Sequence, residues 1–372
     1  MKKIKEIAIL CAGLDDVMRG YETHTRLLFN SLLKENIEGI EFKLYKRTGK
    51  KNKIEKPLHT FSRDSKIVRF LAKFRGTNFY WESLFFSLKF IFHTLIRFKK
   101  FDKILVIEPM VGRTLLVFKF LMKGKPTIIL THGVSMEPKE YIQMGDVFHQ
   151  VSIENYKKQV SYFKENKINK ETFLIPHFIN DTSDNLKQTK EELRNKFGIQ
   201  TKKVLLSVGV INRSKNMEYI IRETNKLSKD WTLVLCGKIG ESDLIKLGKE
   251  LLGKRFIHLF VNRNDIPEVY AVADLFVLAS IQEGFGIVSI EAMSAGLPVI
   301  LHDKELFRWI LKDDTVCIDM TKENALSSFI NNKLINNPNW FKEKGISNRK
   351  LFENNYSWTA VKKEYLNLLL TK

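Results

Sequence analysis

Short runs of β-branched and other apolar residues alternate with helical patterns along most of the chain, and this alternation constrains the fold most strongly. Strands separated by helices in this way predict βαβ units and a parallel sheet. Two series of such strands occur. The first comprises Glu6–Leu10, Glu41–Tyr45, Lys103–Ile107, Thr127–Leu130, Val147–Val151 and Thr172–Ile175, and the second Val204–Val208, Thr232–Leu235, Ile257–Val261, Leu275–Leu278, Pro298–Leu301 and Val316–Ile318.

Two series of strands predict two doubly wound, Rossmann-like α/β domains, and a length of 372 residues is enough for two cores. The polar stretch Asn180–Thr189 is the predicted linker. We therefore expect one domain over residues 1–182 and a second over residues 183–356. Ligands of such sheets bind beyond the carboxyl ends of the strands, so two facing sheets would form a cleft.

The composition indicates a folded globular protein, because 44% of the residues are hydrophobic and 28% are charged. The three cysteines, Cys11, Cys236 and Cys317, are far apart in apolar runs and show no metal-ligand spacing, which predicts buried thiols. The apolar run near the N-terminus is too short for a signal peptide, and Glu6 interrupts the basic start. We expect a cytoplasmic protein.

The net charge of +20 is concentrated in one region. Residues 42–100 contain 16 Lys and Arg residues but only three acidic ones. A clustered basic surface indicates an anionic partner, which could be nucleic acid, anionic lipid or a phosphate-bearing substrate.

The segment Ser83–Phe98 is apolar except for a narrow polar stripe at Lys89, His93 and Arg97. It is too short and too charged for a spanning helix. A mostly buried helix of the first domain is the favoured interpretation. The alternative is a helix lying in the membrane plane, with residues 61–100 contacting an anionic membrane surface at the inner face of the cell membrane.

The most informative segment follows the apolar strand Leu275–Leu278. Gly284 and Gly286 predict a loop that a ligand can approach closely, and a helical pattern begins at Val288. A helix start of this kind suits a phosphate. Glu283 and Glu291, placed on either side of the turn, can accept hydrogen bonds from a hydroxyl-rich ligand. The alternative is that both glutamates face solvent, where the second is favourable near a helix N-terminus.

This segment resembles the E-x7-E signature of the retaining GT-B glycosyltransferases of family 4. The signature is nearly complete here, from Glu283-Gly284-Phe285-Gly286 through Glu291-Ala292-Met293-Ser294-Ala295-Gly296-Leu297-Pro298-Val299. The preceding Val269–Ser280 also matches. The resemblance implies a GT-B architecture, with an acceptor-side N-terminal domain and a C-terminal domain that binds a nucleotide-sugar donor.

The resemblance also implies roles for single residues. Glu283 would bond hydroxyls of the transferred sugar at the reacting centre, and Glu291 would hold the ribose. The backbone of the loop would line the sugar and the diphosphate; it comprises Phe285, Gly286, Ile287 and Val288.

A second match, Ser207–Asn216, resembles the family element whose basic residues neutralise the donor diphosphate. Lys215 and Asn216 fall on the matching positions. The arginine that often follows the glycine is Val210 here, and we expect Arg213 to supply that charge from the same loop. A cation there stabilises the departing nucleotide.

The first half matches the family more weakly. Gly20 stands in the glycine loop before a helix over residues 22–34, as Arg19-Gly20 where the family has two glycines. His132, in Thr131-His132-Gly133, occupies the place of the family's active-site histidine. Tyr356-Ser357-Trp358 and the helix after it resemble the closing segment, so residues 357–372 are expected to complete the first domain.

No Asp-x-Asp pair occurs in the sequence, and metal-dependent transferases of the other major fold use such a pair. We therefore expect a metal-independent enzyme without a cofactor, acting on a UDP- or GDP-linked sugar and a glycan or lipid-linked acceptor. The setting would be cell-envelope polysaccharide or glycolipid synthesis.

Two other functions remain open on the sequence. A nucleotide-sugar epimerase or hydrolase of the same architecture would consume donor without any acceptor. A nucleic-acid-binding protein is suggested by the charge alone, but the basic block contains no recognisable nucleic-acid motif, so no nucleic acid is expected as a partner.

Overall fold

The computed structural model describes residues 5–16, 20–132, 136–181 and 186–371. The chain forms two compact units. Unit 1 comprises Met1–His177 with Lys362–Lys372, and unit 2 comprises Phe178–Val361. The sequence-based boundaries were 182/183 and 356/357; residues 182–185, within the predicted linker, lie outside the described residues.

Unit 1 is built on a seven-stranded parallel sheet of order β3-β2-β1-β4-β5-β6-β7. The strand order reverses between β1 and β4. The strands are β1 (Lys5–Cys11), β2 (Ile40–Lys46), β3 (Glu55–Pro57), β4 (Lys103–Val106), β5 (Thr127–His132), β6 (Val147–Gln150) and β7 (Thr172–Leu174). The helices are α1 (Gly20–Lys34), α2 (Lys66–Ala72), α3 (Asn78–Ile96), α4 (Pro109–Val117), α5 (Pro138–Tyr141) and α6 (Ile153–Glu165).

Unit 2 has a six-stranded parallel sheet of order β10-β9-β8-β11-β12-β13, which reverses between β8 and β11. The strands are β8 (Lys203–Val208), β9 (Trp231–Cys236), β10 (Phe256–Leu259), β11 (Leu275–Leu278), β12 (Val299–His302) and β13 (Cys317–Ile318). The helices are α7 (Lys190–Lys196), α8 (Met217–Asn225), α9 (Ser242–Leu252), α10 (Ile266–Ala271), α11 (Ile287–Ser294), α12 (Glu305–Leu311), α13 (Ala325–Asn336), α14 (Trp340–Asn355) and α15 (Trp358–Leu370).

The central strands are continuous apolar runs because both faces of a parallel sheet are covered by helices. All six residues of β9 and all four of β11 are buried. In unit 1, Ile7 to Cys11 of β1 are buried. Because helices cover both faces of the sheet, a ligand can reach it at the carboxyl ends of the strands, where the loops emerge.

The end of α15 belongs to unit 1. Tyr365 donates a hydrogen bond from its hydroxyl to the Pro176 carbonyl at 3.2 Å. Lys103 of β4 donates to the Leu368 carbonyl at 2.9 Å. These bonds attach the last turns of the chain to the sheet of unit 1.

The favoured interpretation of Ser83–Phe98 was wrong. The residues lie mostly in α3, as a helical pattern requires, but α3 is not mostly buried. Phe86 and Phe90 face the core, whereas Phe92 is 57% exposed and Ile96 60% exposed. Hydrophobic periodicity identified the helix but could not show that it has two apolar faces and that only one packs on the sheet. In the described part of the chain, no helix is both long and apolar enough to span a bilayer.

Candidate functional site

The candidate site of unit 2 lies where its strand order reverses. β8 and β11 pair side by side, with Leu275 opposite Leu205 and Phe276 opposite Leu206. The crossovers from β8 and β11 run in opposite directions along the sheet. Because such crossovers are right-handed, their helices are expected on opposite faces, with a crevice between the loops that follow the two strands. Ligands of open α/β sheets bind at such a reversal. The loop after β8 carries Lys215, and the loop after β11 carries Glu283.

Gly286 makes the turn from the β11 loop into α11. Its φ of 84° is in the left-handed region, which favours glycine. A Cβ at this position would also lie 3.2 Å from the Phe307 ring and 3.3 Å from Leu278. Because the first backbone N–H groups of a helix have no partner within it, the start of α11 at Ile287 can donate to an anion.

Lys215 and Glu283 form an ion pair between the two loops. The Lys215 side chain is 25% exposed and that of Glu283 is 14% exposed, so the pair is partly shielded yet reachable from solvent. The structure thus brings together two residues that the sequence predicted for one site, although 68 positions separate them.

The loop geometry holds Lys215 in place. The Asn212 side chain accepts a hydrogen bond from the Lys215 backbone N–H at 3.0 Å. Asn216 adopts a left-handed φ of 54° at the start of α8. Its side-chain amide donates to the Met320 carbonyl at 3.0 Å. Asn216 therefore anchors the loop, and its predicted contact with the donor stays a prediction.

Arg213 lies in a different environment from the one expected. Its guanidinium contacts three carboxylates, those of Glu218 at 3.1 Å, Asp243 at 2.6 Å and Glu241. The hydrogen bonds that it donates to Asp243 and Glu241 hold its pKa above the ordinary value. The structure does not bring Arg213 to the Lys215–Glu283 pair, because acidic residues near the start of α9 bind it instead.

Glu291 is 1% exposed, and both of its carboxylate oxygens have partners. Oε1 accepts from the Arg263 guanidinium, and Oε2 accepts from the Tyr270 hydroxyl at 2.9 Å. Burial favours the neutral form of Arg263, but the charge of Glu291 outweighs it and raises the arginine pKa. A buried carboxylate needs such partners, since an unpaired one would be costly.

Sequence reasoning missed Arg263, Tyr270 and Lys304. Arg263 follows the carboxyl end of β10, so its place after a strand was a signal that could have been read. Lys304 follows β12 and donates to the Ile281 carbonyl at 2.7 Å, which fixes the start of the β11 loop. The contact of Tyr270 with Glu291 spans 21 positions and left no sequence signal.

The remaining predicted residues of unit 2 line the turn. The Phe285 side chain is buried, edge-on to Trp309 and Tyr356 at ring-centroid distances of 6.2 and 6.4 Å. Only its backbone is therefore available to a ligand. Ile287 and Val288 are half-buried at the start of α11.

Two predicted residues belong to unit 1. Gly20 begins α1, while residues 17–19, which include Arg19, lie outside the described residues. His132 ends β5, with its backbone opposite Gln150 of β6. The structure does not describe the His132 side chain, and Gly133 also lies outside the described residues. Their roles stay predictions.

Glu108 marks the point in unit 1 where the strand order reverses. It follows β4, and its Oε1 accepts a hydrogen bond from the Ala12 N–H after β1 at 2.8 Å. The residue is 7% exposed. Burial raises the pKa of Glu108 from 4.5 to about 7. The β4 loop is short and apolar apart from this residue, so sequence reasoning did not single it out.

The raised pKa of Glu108 predicts how the stability of the chain depends on pH. In the unfolded chain the carboxyl ionises near 4.5, but in the folded chain only near 7. Its protonated form therefore favours folding, and this contribution is lost as the pH rises from 4.5 through 7. Glu108→Gln imitates the protonated acid at every pH. Its free energy of unfolding, relative to that of the natural protein, should therefore rise by roughly 3 kcal/mol from pH 4.5 to pH 8. Urea unfolding of both proteins at the two pH values measures this, and a pH-independent difference would contradict it.

Comparison with known proteins finds a family match that lies within unit 2. Residues 189–357 match the model of the family described as glycosyl transferases group 1. An uncharacterised glycosyltransferase of Methanocaldococcus jannaschii is 30% identical over 189 residues, which is 49% of this chain and 48% of that protein. The lipopolysaccharide glucosyltransferase WaaG of Escherichia coli K12 is 32% identical over 125 residues, 32% of this chain and 33% of that protein. The matches thus span half or less of these relatives.

Solved structures match over nearly the whole chain. Sucrose-phosphate synthase from Thermosynechococcus elongatus has a TM-score of 0.73 at 17% identity, covering 98% of both chains. HepE of Anabaena, solved with UDP-glucose, has a TM-score of 0.74 at 13% identity, covering 99% of this chain and 100% of that one. At these identities the likeness shows the fold alone, and the predicted GT-B fold is confirmed.

Proposed function

We propose that this chain is a retaining, metal-independent glycosyltransferase of family 4, which takes its sugar from a UDP- or GDP-linked donor. One observation carries the proposal: the Lys215–Glu283 ion pair lies between the loops after β8 and β11, where the strand order reverses. The pair offers a cation for a diphosphate and a carboxylate for sugar hydroxyls at one point. The match of residues 189–357 to glycosyl transferases group 1 supports it.

In the proposed reaction the donor separates the Lys215–Glu283 pair. The diphosphate replaces the carboxylate as the partner of Lys215, and the sugar hydroxyls replace the ammonium as partners of Glu283. Negative charge grows on the diphosphate as the bond to the sugar breaks. Lys215 and the backbone N–H groups at the start of α11 stabilise that charge without a metal ion. The acceptor hydroxyl attacks from the face that the diphosphate leaves and passes its proton to the departing diphosphate oxygen, which retains the anomeric configuration.

Glu291 would hold the ribose, with Arg263 and Tyr270 fixing its position. Because Glu291 is buried and already bound on both oxygens, a ribose hydroxyl can reach it only by sharing or replacing the Arg263 contact. The contacts with Arg263 and Tyr270 thus hold the Glu291 carboxylate in one orientation.

Glu291→Gln tests this assignment. The substitution keeps the shape but removes the charge that holds Arg263, so we expect the Kd for the free nucleoside diphosphate to rise about 10- to 100-fold, since hydrogen bonds to charged groups contribute ~1.5–3 kcal/mol. Isothermal titration with UDP and GDP measures it. The matched control is Glu268→Gln on α10, whose carboxylate pairs with Lys196 instead. An unchanged Kd in Glu291→Gln would contradict the ribose role.

The proposed acceptor is a glycan or a lipid-linked sugar used in cell-envelope polysaccharide or glycolipid synthesis. Support comes from the relative WaaG of Escherichia coli, which is a lipopolysaccharide glucosyltransferase. We further propose that the enzyme works on the cytoplasmic side of the membrane as a peripheral protein, since unit 1 has a basic region with exposed apolar side chains.

Product analysis tests the reaction class. The protein is incubated in EDTA with labelled nucleotide sugars, with and without a lipid-linked acceptor fraction, and the anomeric configuration of any product is determined by NMR. We expect transfer that requires acceptor, persists in EDTA and retains the configuration of the donor. Consumption of donor without acceptor would favour an epimerase or hydrolase, and an inverted product would exclude the retaining mechanism.

A further inference from the structure

Exposed apolar side chains are concentrated in one short segment of unit 1. Among the described residues, twenty large apolar side chains are exposed, and ten of them fall between positions 61 and 98. We call these ten, with the basic residues between them, the α2–α3 surface. Its apolar members are Phe61, Ile67, Phe70, Phe74, Phe79, Leu88, Phe92, Leu95, Ile96 and Phe98.

Helix α3 contributes a second apolar face that the core does not use. Its inner face packs on the sheet through buried residues such as Phe86 and Phe90. Its outer face presents Leu88, Phe92 and Leu95, which are spaced four and three residues apart and so form one stripe of a helix. An outward stripe adds nothing to the stability of the core, because its apolar area stays in contact with water.

Helix α2 extends this surface. It packs against α3, yet Val68 is its only fully buried residue. Phe70 is 58% exposed and Phe74 75% exposed, and their rings contact each other with centroids 5.0 Å apart. Exposed aromatic side chains that cluster in this way are typical of an interaction site.

The charges around these apolar residues are almost all positive. The exposed acid, Asp64, lies 3.6 Å from Arg69, and the other acid of the segment, Glu82, is buried against Arg63. Besides Arg63, the basic residues between the apolar ones or directly after them are Lys66, Arg69, Lys73, Arg75, Lys89, Arg97, Lys99 and Lys100. The surface is therefore complementary to a negatively charged partner.

We propose that the α2–α3 surface docks on an anionic lipid bilayer, with both helices lying in the interfacial plane. Aromatic side chains would enter the boundary between headgroups and acyl chains, while Lys and Arg would extend to the lipid phosphates. A protein partner fits less well, because the cores of protein interfaces are depleted of lysine. The proposal goes beyond the transfer reaction and does not depend on it.

Vesicle flotation of the full chain tests the docking. The vesicles contain either phosphatidylglycerol and phosphatidylcholine in equal parts or phosphatidylcholine alone. We expect strong partition to the anionic vesicles, weak partition to the neutral ones, and release on raising the salt concentration. Replacing Phe92 and Ile96 by serine should lower the partition coefficient at least tenfold. Replacing Lys66, Lys73 and Lys89 by alanine should lower it about 100-fold, since each basic residue contributes about fivefold.

The matched control replaces Ile335 and Ile346 by serine, because both are exposed apolar residues of unit 2. It should bind vesicles like the natural protein. Unfolding curves check that the serine variants stay folded, which their exposed positions predict.

The proposal is overturned if the natural protein does not float with anionic vesicles, or if the α3 variants float equally well. It is also overturned if sedimentation shows that Phe92→Ser abolishes a dimer while lipid binding is unchanged. Sugar transfer by a protein that binds no vesicles would leave the proposed reaction standing and remove this inference together with the proposed peripheral location.

Discussion

Lys215→Ala is expected to lower kcat for sugar transfer by about 10²- to 10³-fold, because one preorganised charge on a leaving group contributes about that much. The same variant should bind the nucleoside diphosphate about tenfold more weakly, since the diphosphate loses its cation. Lys215 lies beside Glu283 in a loop fixed by Asn212 and Asn216, so no other lysine of this loop can take its place.

The matched control is Lys226→Ala at the other end of α8. Lys226 also forms ion pairs, with Glu223 and Glu323, but it is remote from the loop after β11. Steady-state kinetics should leave this variant close to the natural protein. If Lys215→Ala kept the full transfer rate and the full donor affinity, this would contradict the proposal that Lys215 binds the diphosphate.

The second large effect is expected for Glu283→Gln, which should lower transfer by at least about 100-fold while leaving the binding of the free nucleoside diphosphate intact or tighter. The Glu283 carboxylate would bond only the sugar. The free nucleoside diphosphate therefore loses no contact when that carboxylate is replaced by an amide. Lys215, freed from its partner, becomes fully available to the diphosphate. This opposite movement of kcat and nucleotide affinity distinguishes a sugar contact from a damaged loop.

Glu250→Gln, on the exposed face of α9, is the control for this pair of measurements. Calorimetry with the nucleoside diphosphate and with the intact nucleotide sugar gives the two affinities. A parallel loss of both affinities in Glu283→Gln would place the residue at the nucleotide instead.

The strands could be predicted closely because buried parallel strands are continuous apolar runs. Leu275–Leu278 was placed at its observed bounds, and Lys203–Val208 was missed by one residue at its start. The edge strand Glu55–Pro57 was not predicted, since three residues that include a proline carry no alternating pattern. The exposure of the outward face of α3 could not be predicted either, because hydrophobic periodicity shows that a helix has an apolar face but not what covers it.

In the site, the glycine turn and its two glutamates followed from residue types at fixed spacing, and the likeness to a known signature gave them roles. The partners of those glutamates could not be predicted, since Arg263 and Tyr270 reach Glu291 through tertiary contacts. The same limit explains Arg213. Nothing in its own loop shows that Glu241 and Asp243, about thirty positions later, bind the guanidinium.

A thermal-shift panel of nucleotide sugars in EDTA tests the central claim most directly, namely that unit 2 binds a nucleotide sugar through Lys215, Glu283 and Glu291. A ligand at about 100 times its Kd adds about 2.7 kcal/mol of stability. For a unit of this size we expect the melting temperature to rise by about 5–10 °C with at least one UDP- or GDP-linked sugar. The shift should be much smaller in Lys215→Ala and Glu291→Gln. A panel in which no nucleotide sugar shifts the natural protein, or in which both variants shift as it does, would contradict the account.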